Sequence, residues 1–344
     1  MKYPNSSNEM KQQQWAHRQE IKHYLKKMHR SPEHLQAYQI LQGGVSGAAT
    51  YRLQMTGEEL ILKLTRTDSE RIVQERAQRE LSCYQILVPR LPLCVPHMLA
   101  HVRDAQAIAL LLRAYEPSAH PIEWQEWQYL KVAEQLGQLH ASFWKNTEQI
   151  AQFSWLHRQQ WTLSARQMQD AAQQWKALQD DPLFQPLIPR QRYQWLIRLL
   201  PLMEGMQSLL TSFPLTVCHG DCHIDNLLRD EQGQLIWADW QEVGVGLGPG
   251  DLSFFFQRAW QAGGTVPFEE MITIYHQQLE AETKEQIPFA LLHQVLDAFE
   301  LRSWLLDWPS YLMYVSPQWL AGLFNRIDLL ASRLHLVAQE RTNK

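Results

Sequence analysis

The hydrophobic pattern of this chain changes period partway along, and that change restricts the folds open to it. From Gln39 to Tyr115 the apolar residues alternate in short stretches. Tyr51, Leu53 and Met55 share one face of a strand, and Leu60, Leu62 and Leu64 share a face of the next, with Ile61 and Lys63 opposite. Thr56-Gly57-Glu58-Glu59 supplies the turn between them. A helix over Glu70 to Leu87 follows, with Val73, Ala77, Leu81, Tyr84 and Leu87 on one stripe, and then a strand pair over Leu99 to Tyr115 that turns near Ala105-Gln106. After Glu116-Pro117-Ser118 the spacing becomes helical. Trp127 to Trp144 carries Leu130, Ala133, Leu136, His140 and Phe143 on one stripe, and residues 155–212 and 268–340 read as further helices. One island, Leu215 to Asp251, returns to strands and loops. The expectation is an α+β chain in three parts: a partly helical N-terminal extension over residues 1–38, loose to about residue 16 and helical from 17, a small β-rich lobe over 39–115, and a large, mainly helical lobe over 116–344.

A chain of 344 residues with 45% hydrophobic residues can bury two cores. The apolar runs, such as Ile108 to Leu112, are far too short to span a bilayer, and the polar start MKYPNSSNEMKQQQ is unlike a signal peptide. Four cysteines (Cys83, Cys94, Cys218 and Cys222) make no disulfide framework at this length, which points to a reducing, cytoplasmic setting and no membrane association. The net charge of −4 is unevenly spread: residues 1–210 hold 24 Lys/Arg against 19 Asp/Glu, and residues 211–344 hold 8 against 17. That balance argues against a nucleic-acid partner in the second half and suits a cationic ligand there, although a solvated acidic surface reads the same way.

The chemistry concentrates in the island, T-V-C-H-G-D-C-H-I-D-N-L-L-R-D-E-Q-G-Q-L-I-W-A-D-W. His219-Gly220-Asp221 is followed five residues later by Asn226, and Asp239 comes after a hairpin turning at Gln232-Gly233. In-line phosphoryl transfer needs a carboxylate to orient and deprotonate the attacking hydroxyl, and hard oxygen ligands for Mg²⁺. Asp221 can supply the first; Asn226 and Asp239 can supply the second. The Asp-to-Asn interval is that of the protein-kinase catalytic loop.

His-Gly-Asp-x-x-x-x-Asn with a later Asp-Trp-Gln (Asp239 to Gln241) and Gly-Pro-Gly-Asp-Leu (Gly248 to Leu252) resembles the aminoglycoside phosphotransferase and choline kinase superfamily. The resemblance covers residues 39–260 in order. It implies a bilobal protein-kinase-like fold, a nucleotide-binding N-lobe over 39–115, and a C-lobe over 116–344 that carries catalysis and acceptor binding. It also implies ATP and Mg²⁺ as cofactors, Asp221 as catalytic base, Asn226 and Asp239 as metal ligands, His219 as a structural residue, and Asp251 as a brace for the catalytic loop. The acceptor becomes a hydroxyl of a small molecule, a cationic aminoglycoside-like or amino-alcohol compound, and the protein a monomer or homodimer.

The N-terminal half supports this from its own residues. Gly43, Gly44, Ser46 and Gly47 form a glycine-rich turn into a strand, where backbone N–H groups can approach phosphates. Lys63 lies 16 residues after Gly47 on the face opposite the leucines, and Glu80 sits on the apolar stripe of the next helix, where an inward carboxylate needs a cation. Other readings stay beside this one. A protein kinase is disfavoured by Gly220, Trp240 and the absence of an Ala-Pro-Glu segment, and a nucleotide-binding pseudoenzyme by the full set of chemical groups. Zinc at Cys218, His219, Cys222 and His223 lacks the spacing of a closed site. Glu300, Arg302, Asp307 and Asp328 are acceptor-pocket candidates or plain surface charge, and the 14 tryptophans read as core packing rather than stacking platforms.

Overall fold

The computed structural model describes residues 7–41, 47–159 and 163–336, with side chains from residue 12. In chain order the elements are α1 (Ser7–Lys27), β1 (Leu35–Ile40), β2 (Ala49–Met55), β3 (Glu58–Arg66), α2 (Arg71–Ser82), β4 (Met98–Arg103), β5 (Ala107–Arg113) and the short β6 (Glu116–Pro117). Then come α3 (Glu126–Ser142), α4 (Thr147–Ala151), β7 (His157–Arg158), α5 (Ala165–Asp180), α6 (Arg190–Leu202) and α7 (Gln207–Ser212). The short strands β8 (Thr216–Cys218), β9 (Leu227–Arg229), β10 (Leu235–Trp237) and β11 (Gly244–Gly246) lead to α8 (Pro249–Gln261), α9 (Phe268–Thr283), α10 (Phe289–Leu306) and α11 (Pro317–Arg333). The chain divides into two compact units. One runs through Ser118 and takes in Asp225–Glu242; the other comprises Ala119–Ile224 and the chain from Val243.

Alternation along β2 and β3 decides the architecture of the first unit. Tyr51, Leu53, Met55, Leu60, Leu62 and Leu64 are buried, as their period of two predicts. They lie on one face of a five-stranded antiparallel sheet ordered β1-β2-β3-β5-β4. Ile21, Tyr24, Leu25 and Met28 of α1 cover that face. On the other face Leu110 and Leu112 of β5 meet Leu81 and Tyr84, from α2 and the turn after it, with Ile61 packed against them. Lys63 shares that second face, so β3 aims it toward α2. A smaller sheet, β10-β9-β6, belongs to the same unit, and Trp237 N donates to Cys94 O at 2.8 Å.

Three sequence expectations change here. The helix expected over 17–38 runs from Ser7 to Lys27 and stops where His29 takes a left-handed φ of 57° ahead of Ser31-Pro32, which cannot continue it. Leu35–Ile40 is instead the edge strand β1. Glu116-Pro117, expected to break the pattern at a hinge between lobes, forms a short strand that pairs with Arg229 and Leu228 of β9. Within 155–212, His157–Arg158 is a strand rather than helix.

The second unit is mainly helical. α3 packs along α9, and the approach is close at Gly137, where a Cβ would sit 2.8 Å from Gln278 Cβ. α8 packs on α10, and α10 on α11. A three-stranded sheet, β7-β11-β8, belongs to the same unit. Across the two units, Trp237 and Trp240 of the first and Trp175 and Trp304 of the second are fully buried, in keeping with core packing, whereas Trp15 of the first and Trp127 of the second are exposed. Among the described residues no helix is long and apolar enough to cross a membrane.

Candidate active site

In the first unit, alternation on β3 and the helical stripe of α2 bring Lys63 to Glu80. Lys63 Nζ donates to Glu80 Oε1 at 2.6 Å and to Asp239 Oδ1 at 2.6 Å. Burial alone would lower the Lys63 ammonium, but the Asp239 and Glu80 carboxylates outweigh it and hold its pKa above the ordinary lysine value. Burial pushes the Glu80 carboxyl up, and Lys63 opposes that rise.

Asn226 and Asp239 are brought together by the β9–β10 hairpin. Leu227 pairs with Trp237, and one step beyond that pair Ala238 N donates to Asn226 O at 2.9 Å. Asp239 then adopts a left-handed φ of 64°, a conformation uncommon outside glycine. Asn226 is buried; Asp239 keeps 27% of its side chain exposed. The donor set is oxygen only, and Asp239 already carries a cation in the form of the Lys63 ammonium. These residues therefore fit a hard divalent ion. Of the glycine-rich turn, Gly43, Gly44 and Ser46 lie outside the described residues. Gly47 has φ of 72°, and a Cβ there would come 2.8 Å from Val73 Cγ2 at the start of α2.

In the second unit, Asp221 follows β8 on a loop held from behind by Asp251. Asp251 Oδ2 accepts from His219 N at 2.6 Å, and its Oδ1 accepts from Gly220 N at 3.0 Å. Gly220 has φ of 83°, which favours glycine at that position. His140 Nε2 lies 3.2 Å from Asp251 Oδ2, and His140 Nδ1 lies 2.9 Å from Tyr275 Oη. Burial would raise the Asp251 carboxyl, but the hydrogen bonds from His140 and the backbone outweigh it and keep it below the usual carboxylate range. Buried His219 accepts at Nδ1 from Asp221 N at 3.3 Å, a structural contact. His223 Nε2 lies 3.6 Å from Asp221 Oδ1. Cys218, His140 and Asp251 cluster closely, but the Asp251 oxygens are engaged by hydrogen bonds, and burial pushes the Cys218 thiol well up.

Glu300 is not surface charge. It is buried, accepts from Arg326 Nε (2.7 Å), Arg326 Nη2 (2.6 Å) and Trp304 Nε1 (3.1 Å), and lines a cavity of about 290 Å³ with Phe256, Gln257, Trp260 and Phe268. Asp328 is held by Arg192 at 2.6 and 2.8 Å, and Asp307 lies 3.8 Å from Arg302.

Sequence reasoning missed two groups. Arg76 and Arg79 stand four and one residues before Glu80 and engage Glu242, just past Asp239; the helical spacing of these three residues was the available signal. The hydrogen bonds that link His140 with Tyr275 and with Asp251 had none, because a histidine on an apolar stripe looks like core.

A model of the phosphotransferase enzyme family matches residues 37–285. The chain belongs to that family. As a member of the phosphotransferase enzyme family, it is a phosphotransferase. A search of curated proteins gives no match. Solved structures of similar fold include the macrolide 2'-phosphotransferase of Brachybacterium faecium, at 17% identity and a TM-score of 0.55 over 87% of this chain and 92% of that one. Another is the GDP complex of aminoglycoside 2'-phosphotransferase-IIIa, at 15% and 0.53 over 90% and 93%. A third is choline kinase from Streptococcus pneumoniae, at 15% and 0.52 over 92% and 98%. The expected α+β, protein-kinase-like fold and the resemblance to the aminoglycoside phosphotransferase and choline kinase superfamily both hold.

Proposed function

We propose that the protein transfers the γ-phosphate of ATP to a hydroxyl of a small cationic molecule, with Asp221 as the catalytic carboxylate. The observation that carries this reading is Lys63, which binds Glu80 and Asp239 together at 2.6 Å each. A lysine fixed by one buried carboxylate and drawn to a second, more exposed one is placed for the phosphates of a nucleotide. Asn226 and Asp239 would hold Mg²⁺, which when bound neutralises charge on the phosphate oxygens.

The remaining work falls to side chains. Asp221 orients the acceptor hydroxyl and takes its proton on a carboxylate oxygen. The hydroxyl oxygen forms a bond to the γ-phosphorus as the bond from phosphorus to the ADP oxygen breaks, and ADP leaves with that electron pair. Asp251 keeps His219 and Gly220 in place, so Asp221 is presented from a fixed loop. The acidic second half, 8 Lys/Arg against 17 Asp/Glu over 211–344, favours a cation as acceptor. The names of the aminoglycoside and choline enzymes of similar fold point the same way.

The test is acceptor-stimulated ADP release with Mg²⁺–ATP over aminoglycosides, macrolides, choline, ethanolamine and amino sugars, with Asp221→Ala as blank. Release that vanishes in the variant supports the reading. Equal release from both proteins, or an acceptor set that is uniformly neutral, overturns its catalytic or its cationic part respectively.

A further inference from the structure

The α2 face that carries Glu80 also carries two arginines. Arg76, Arg79 and Glu80 stand at helical positions i, i+3 and i+4, so they share one side of the helix. Arg79 Nη1 donates to Gln241 O at 2.6 Å and to Glu242 Oε2 at 3.1 Å, and Arg76 pairs with the other oxygen of Glu242. Arg79 is 8% exposed. Gln241 and Glu242 belong to the single turn Trp240–Glu242 that begins directly after left-handed Asp239. Trp240 pins the near side of that turn, donating Nε1 to Trp237 O at 2.7 Å.

Two features make this more than packing. Burying a guanidinium costs more than an apolar side chain would, so the pair is a poor choice if stability alone were at stake. The turn it grips also follows directly on the uncommon backbone of Asp239, and the helix it grips carries Glu80, the partner of Lys63. One side of the cluster therefore fixes the helix to the turn, while Lys63 joins the two carboxylates that helix and turn present.

We propose that Arg79 and Glu242, supported by Arg76, are positioning residues that clamp α2 to the turn after Asp239 and thereby hold Lys63, Glu80 and Asp239 in register for the nucleotide. The segment it holds is short, running only from Trp240 to Leu247 before Gly248. The proposal rests on the ATP-dependent reading above.

The experiment compares wild type with Arg79→Met, Glu242→Gln and the double variant. Steady-state kinetics are read against ATP and against acceptor, and amide hydrogen exchange is followed over 239–242 in the nucleotide-free protein. The clamp predicts that each single variant raises KM for ATP about tenfold, as loss of residues that orient a site typically does. KM for the acceptor stays unchanged. The double variant is no worse than the more affected single one, because the two residues act as a unit. Exchange over 239–242 speeds up in all three. A merely structural loss would instead lower the active fraction at unchanged KM for ATP. KM for ATP within twofold of wild type, or single effects that multiply in the double variant, would overturn the clamp. If wild type neither turns over nor binds a fluorescent ATP analogue, the functional reading fails by itself. The exchange data then decide the clamp: unchanged exchange at 239–242 sinks it, and faster exchange in each variant upholds it.

Discussion

Lys63 donates to Asp239 at 2.6 Å across 176 residues of sequence, and the same ammonium is shared with Glu80. The arrangement is asymmetric: the Glu80 side chain is 6% exposed and that of Asp239 27%. Glu80 depends on Lys63 for compensation; Asp239 can turn to solvent or to another cation.

Removing the lysine should therefore affect stability as well as binding. Lys63→Met leaves Glu80 as a buried carboxylate without its cation, at a cost of about 3 kcal/mol. The double variant Lys63→Met/Glu80→Gln should recover most of that stability without recovering affinity for ATP. Urea unfolding alongside KM for ATP separates the two effects. Equal stability of the single and double variants would show that Glu80 does not rely on Lys63.

Asp221 and Asp239 should fail differently. Asp221→Ala is expected to cut turnover by roughly three orders of magnitude or more while nucleotide binding persists, because the role proposed for Asp221 is with the acceptor hydroxyl and not with the nucleotide. Asp239→Ala should weaken Mg²⁺–ATP binding and turnover together. Titration with a fluorescent ATP analogue beside single-turnover rates distinguishes them, and near-normal turnover in Asp221→Ala would refute its catalytic role.

Much of this was legible in the sequence because it depends on local periodicity. The alternation at Leu60, Ile61, Leu62 and Lys63 gave the face of Lys63, and the step from Val73 to Glu80 gave an inward carboxylate. The strand at Leu35–Ile40 was hidden because its residues, Leu-Gln-Ala-Tyr-Gln-Ile, continue a polar helical pattern, and its identity is settled by pairing with Ile40 against Tyr51. The return of Asp225–Glu242 to the first unit was hidden for a related reason: hydrogen bonds from Trp237 to Cys94 and from Ser118 to Leu227 link distant stretches that no local window shows.

Asp297 supplies a pH dependence. Burial, with Glu300 nearby, raises its pKa to about 6, and Arg333 opposes the rise. A carboxyl whose folded pKa lies above its unfolded value binds more protons when folded. Its contribution is thus most favourable at low pH and is lost as pH climbs from about 4 to about 6. Relative to Asp297→Asn, wild type should lose about 2 kcal/mol of stability over that interval and then run parallel. Urea midpoints measured at half-unit steps would show it; curves that stay parallel from pH 4 to 7 would contradict the raised pKa.

Tyr275 supports the loop that carries Asp221 at one remove. All polar atoms in the chain from Tyr275 through His140 to Asp251 are satisfied if the Tyr275 hydroxyl donates to His140 Nδ1 and His140 Nε2–H donates to Asp251. Asp251 in turn accepts from the backbone of His219 and Gly220, immediately before Asp221. In Tyr275→Phe, His140 Nδ1 becomes a buried acceptor without a donor, at a cost of about 1–3 kcal/mol. Nothing in that change touches Lys63 or Asp239. Turnover should consequently fall while KM for ATP holds, and the ¹⁵N signal of His140 should lose the shift of a hydrogen-bonded Nδ1. An unchanged ¹⁵N signal together with unchanged turnover would mean that Asp251 holds the loop without help from Tyr275.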